Sequence, residues 1–99
     1  MSMTLIVTRD VEDRYRGFLH SVMLEIAPGV YTSPRMSKAV RERMWKVLAD
    51  WHEQLQRGSI VLTWRDPDAP GGQSLLYLGE PARELVEVDG MVLVRRAVD

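Results

Sequence analysis

The chain has 99 residues, 45% of them hydrophobic, with 13 Lys and Arg against 14 Asp and Glu and a formal net charge of −1. That length fits a single domain, one that buries only about two thirds of its unfolded surface. The apolar content excludes a disordered chain, no apolar run approaches the roughly 20 residues of a membrane span, and the lack of cysteine removes disulfides, thiolate nucleophiles and Cys-based zinc sites.

Met3 to Thr8 is a run of aliphatic and β-branched residues and predicts a buried strand. The opening MSMTLIV lacks a basic n-region and runs straight into a strand pattern, so no signal peptide and a cytoplasmic protein are expected. Asp10 carries an N-cap signal, with Asp13 in the first turn of the helix that follows. Val11, Tyr15, Phe18, Leu19, Val22 and Ile26 recur at helical spacing, which predicts a helix over about 11–25, ended by Pro28 and Gly29. Gly29 to Thr32 reads as a brief second strand, and Ser33-Pro34 as a turn. Ser37 caps the next helix. Its buried face is Val40, Met44, Val47, Leu48, Trp51 and Leu55, and Gly58 is its stop. Ser59 to Arg65 is a third strand and Asp66 to Gly72 a hairpin loop. Gln73 to Leu78 pairs back as a fourth strand. Leu85 to Val88 and Met91 to Arg95 form a last strand pair around Asp89-Gly90.

The expected fold class is α+β: a ferredoxin-like βαββαβ sandwich, two helices on one face of an antiparallel four-stranded sheet, with extra C-terminal strands. Residues 1–79 form the core domain in this reading. Residues 80–99 form a strand tail for docking on a second copy or on a partner, since an unpaired strand edge invites pairing.

Charge is unevenly spread. Residues 1–46 hold eight Lys and Arg against five Asp and Glu; residues 47–99 hold five against nine. An asymmetry like this has two readings: one face for a polyanion and another for a basic partner, or a chance offset of the size common in ordinary domains. His20 and His52 lie on different helices, with no HExxH, so a zinc site is not expected. There is no GxGxxG or P-loop, and Gly71-Gly72 has no helix behind it to hold phosphate. Asp10 has two readings. It is a helix cap, or it meets its twofold copy, and two facing carboxylates then bind Mg²⁺ and activate water for phosphodiester cleavage. The cations also have two readings. Arg14 and Arg16 on the first helix, and Arg35, Lys38, Arg41 and Lys46 on or before the second, are solvated residues weakly paired to Glu12, Glu42 or Asp50. Alternatively they form a stripe that tracks a phosphate backbone without reading its sequence.

Several segments together carry a family resemblance. They are Met1-Ser2-Met3 with Leu5-Ile6-Val7-Thr8, Arg14 through Leu19, Leu24 through Tyr31, Lys38 through Trp45, Trp64, and Asp89 through Val94. In this order and spacing the chain resembles the Cas-two family of CRISPR-associated proteins, in its subtype I-E branch, over nearly its whole length. The resemblance implies a ferredoxin-like homodimer. It implies that the dimer sits between two dimers of the CRISPR integrase subunit and holds double-stranded prespacer DNA while the integrase performs the strand transfer. It implies backbone contacts at Arg14, Arg16 and Lys38. The branch has an Arg-Arg pair where this chain has Ala82 and Arg83, so Arg83 alone is carried over as a DNA-binding residue. The acidic residue that metal-dependent nucleases of the family carry aligns with Arg9, with Asp10 one position on. That departure favours a scaffold, which requires no cofactor, over a Mg²⁺-dependent endonuclease with Asp10 as catalytic and metal-binding residue. A toxin-like ribonuclease or a plain interaction module on the same fold stands as the third reading.

Overall fold

In a computed structural model, residues 2–79, 84–88 and 91–95 are described, with side chains from residue 3 to 79. The elements in chain order are β1 (Ser2–Arg9), α1 (Asp13–His20), β2 (Leu24–Ala27), β3 (Val30–Met36), α2 (Lys38–Leu55), β4 (Ser59–Arg65), a 3₁₀ turn at Pro70–Gly72, β5 (Gln73–Leu78), β6 (Glu84–Val88) and β7 (Met91–Arg95). One five-stranded sheet has the order β2-β3-β1-β4-β5, with every neighbouring pair antiparallel; β6 and β7 form a separate two-stranded sheet. The first four strands with their two helices make the ferredoxin-like arrangement, extended by β5 at one edge.

Period-two alternation decides what each face of the sheet carries. Tyr31, Ile6, Leu62 and Leu76 lie in register across β3, β1, β4 and β5 on the helix side. Ile6 and Leu62 are fully buried there with Tyr15 and Leu19 of α1 and Met44 and Leu48 of α2. Burying one such side chain stabilises the fold by about 1.5–3 kcal/mol. The next row, Val30, Val7, Val61 and Tyr77, lies on the opposite face, which no helix covers.

Four sequence expectations are corrected. The helix expected over 11–25 ends at His20, because Leu24–Ala27 is the edge strand β2 of a tight hairpin with β3. Val22 and Ile26 are exposed instead of continuing the apolar stripe. Pairing with β3, together with the Thr8 N–H donated to the Gly29 carbonyl at 2.7 Å, overrides the helical period. Ser33-Pro34 lies inside β3 rather than in a turn. Pro34 and Arg35 fall in the register break between the Thr4–Ser33 and Ser2–Met36 pairs, a bulge where a residue without an N–H costs the ladder nothing.

Asp10 does not cap α1. Glu12 occupies the cap position, without a side-chain cap bond, and Asp10 takes a left-handed φ of 56°. The cause is a chain crossing. A Cβ added at Gly58 (φ +79°) would lie 2.6 Å from the Arg9 carbonyl oxygen and closer still to that of Asp10, so the β1–α1 and α2–β4 connections touch backbone to backbone. The expected stop at Gly58 accordingly moves to Gln56, which ends α2 with φ 47° and donates its N–H to the His52 carbonyl. At the other end Ser37 caps α2 as expected, its hydroxyl accepting from the Val40 N–H at 3.2 Å.

Candidate nucleic-acid interface

The cations of the two helices sort by what holds each of them. Arg14, on α1, places its guanidinium carbon 5.6 Å from the Trp51 ring centroid on α2. Trp51 in turn packs edge-on against Tyr15 and Phe18, at 5.4 and 5.5 Å. Arg16, two residues on, is tied to a carboxylate, with its Nε 3.3 Å from Glu25 Oε1. Lys38 opens α2 with its side chain 79% exposed and pairs loosely with Glu42 at 3.9 Å; Lys46 pairs with Asp50 at 3.6 Å. Both are the i, i+4 contacts expected from the spacing, and exposed pairs of this kind contribute little. Arg41 seats its guanidinium 4.0 Å over the Trp64 ring of β4. Arg83 lies outside the described residues.

Glu25 is a hub that the sequence did not reveal. His20 Nε2 lies 2.8 Å from its Oε1, and the Gly29 N–H donates to its Oε2 at 3.1 Å. The His20 hydrogen bond, then the Gly29 N–H, with Arg16 adding, hold its carboxyl down at about 2. Burial, followed by the Glu25 charge, pushes the neighbouring Tyr31 hydroxyl up. His20 is therefore engaged with this carboxylate. His52 lies 3.2 Å from the Gly58 carbonyl oxygen, where α2 gives way to β4. Beside the hub is a groove of about 640 Å³ whose walls include Asp10, Glu12, Asp13 and Glu25 against the one cation Arg16. Its walls therefore carry a net negative charge.

The Asp10 carboxylate accepts a hydrogen bond from Arg57 at 3.1 Å, and both side chains are largely exposed. Among the described residues no group of three or more His, Cys, Asp or Glu is arranged to hold a metal ion. Within one protomer, Asp10 is thus a single carboxylate already facing a guanidinium, and these residues do not by themselves fit Mg²⁺. Among the described residues no helix is long and apolar enough to cross a membrane.

The sheet order, the two helices on one face and the antiparallel pairing define a ferredoxin-like α+β domain. Residues 3–93 match the family model described as CRISPR-associated protein (Cas_Cas2CT1978). The chain therefore belongs to that CRISPR-associated family, of the Cas-two kind that its sequence resembles.

Proposed function

We propose that this protein is a homodimeric, cytoplasmic DNA-binding scaffold of the CRISPR adaptation complex, holding prespacer duplex DNA between two integrase dimers during spacer acquisition. The observation that carries the reading is the set of exposed helix cations, Arg14, Arg16 and Lys38, on a chain whose family membership spans residues 3–93. Such side chains give affinity and register along a backbone without selecting a sequence.

The uncovered sheet face supports the dimer. Met3 (59% exposed), Val7, Leu24 (67%), Val61 and Tyr77 (55%) lie on it. An antiparallel sheet presenting such a face to water gains by covering it, and a second copy presents the same apolar face. In this reading the tail, residues 80–99, docks on the integrase subunit. The scaffold needs no metal. The endonuclease alternative, with Asp10 of two copies sharing Mg²⁺, has to displace Arg57 from each carboxylate first, and so is the less supported of the two.

The test is a duplex-binding titration across salt concentration, with wild type and the Arg14→Ala/Arg16→Ala/Lys38→Ala variant, alongside co-purification with the integrase subunit. The expected result is a steep salt dependence in the wild type. Its slope in log K against log salt falls by about 0.9 for each phosphate that the variant no longer neutralises. Equal affinity and equal slope in the two proteins would reject the reading.

A further inference from the structure

We propose that Arg41, seated on Trp64, is a further phosphate-binding residue of this surface, with Trp64 as its positioning residue; the ligand is the phosphate backbone of duplex DNA. The inference rests on the scaffold reading and adds a site to it.

Arg41 follows Lys38 by three residues, so the two are neighbours on the surface of the first turns of α2. That first turn holds no acidic residue, leaving the positive end of the helix dipole unneutralised beside them. Among the described residues Arg41 makes no ion pair, whereas Arg16, Lys38, Lys46 and Arg57 each do. Its partner is instead an aromatic face. A guanidinium carbon 4.0 Å over a ring centroid is held by the ring's π-face, which takes up none of the N–H donors in an ion pair. Trp64 is a half-buried residue of β4, paired with Thr4 of β1, so the seat is anchored in the sheet. The side chain is thereby ordered before any ligand arrives. That lowers the entropy lost on binding. A lysine at the same place would lack the planar fork that meets a phosphate with two parallel bonds.

The experiment uses the full chain and a 30-base-pair duplex, with affinity read from about 50 to 200 mM salt for wild type, Arg41→Gln, Arg41→Lys, Trp64→Leu and the Arg41→Gln/Trp64→Leu double variant. Arg41→Gln is expected to lower the salt slope by about 0.9 for each phosphate it leaves unneutralised, one for each copy of the chain on the duplex, while Arg41→Lys keeps the slope and binds more weakly. Trp64→Leu is expected to weaken binding in the wild-type background and to add nothing in the Arg41→Gln background. On the unsubstituted protein, bound duplex is expected to protect Arg41 from phenylglyoxal, as read by mass spectrometry, which needs no variant to fold. A wild type that binds steeply, with Arg41→Gln of the same slope and Arg41 equally modified with and without duplex, overturns this inference and leaves the scaffold reading standing. A wild type with no salt-dependent duplex binding overturns the scaffold reading itself.

Discussion

Arg16 and Arg41 carry the same guanidinium and sit in opposite company. Arg16, on α1, faces a carboxylate whose other oxygen is held by the Gly29 N–H, in a hub that also holds His20 and pins the β2–β3 turn. Arg41, on α2, rests on an indole and, among the described residues, forms no ion pair. An arginine opposed by a carboxylate gives up charge to the fold, and a polyanion has to compete for it. An arginine opposed by a ring keeps its charge and loses only its freedom. Two helix residues that look alike on a charge count therefore differ in what remains for a ligand. The Glu25 region is organised for its own stability, and the start of α2, in the proposed reading, for contact.

That contrast can be broken at the backbone of either region. The largest effect is expected at Gly58, which lets the chain cross at Asp10 beneath the acidic groove. Gly58→Ala puts a Cβ against two carbonyl oxygens at a positive φ, and the expected loss is roughly 1–3 kcal/mol in urea unfolding. A change of a few tenths would mean that the two connections are not in contact. At the start of α2 the corresponding change is smaller. Ser37→Ala removes the acceptor for the Val40 N–H and is expected to cost about 1 kcal/mol. It also frays the turn that carries Lys38 and Arg41, so in the proposed reading duplex affinity is expected to fall with it. Unchanged affinity at the lower stability would show that this turn lies outside the contact surface.

The sequence made the two regions unequally legible. α2 was readable because its cap, its apolar stripe and its i, i+4 pairs are all local. β4, β5 and the loop between them were readable because alternation and turn residues coincide. The Glu25 hub was hidden for a specific reason. Val22 and Ile26 prolong the helical spacing of α1, so Glu25 looked like one more polar helix residue. Only pairing with Tyr31 of β3 turns its side chain toward His20 and Arg16. The two indole seats were equally hidden. Arg14 meets Trp51 and Arg41 meets Trp64 across separate elements, and nothing local to either arginine signals the partner. Asp10 misled because its residue type suits a cap and a left-handed turn alike, and the crossing at Gly58 decided between them.

The finest test of the contrast is Glu25→Gln, which keeps the shape of the hub and removes its charge. The carboxyl of Glu25 drops from an ordinary 4.5 to about 2 on folding, first through the His20 hydrogen bond and then through the Gly29 N–H. A lowered acid stabilises the fold fully above its unfolded value, and that stability is lost as pH falls through the folded one. Wild type is therefore expected to melt above Glu25→Gln at pH 7. The gap should begin to close below about pH 4.5 and be largely gone near pH 2. A gap that stays constant over that range would mean that the carboxylate charge is not what the hub uses. The same substitution frees Arg16, so duplex affinity at low salt is expected to rise, by a factor of about two to five given the small contribution of an exposed pair. Arg41, which faces no carboxylate among the described residues, is expected to gain nothing from the change. A rise that persists in the Glu25→Gln/Arg16→Ala double variant would place its origin elsewhere than in the release of Arg16.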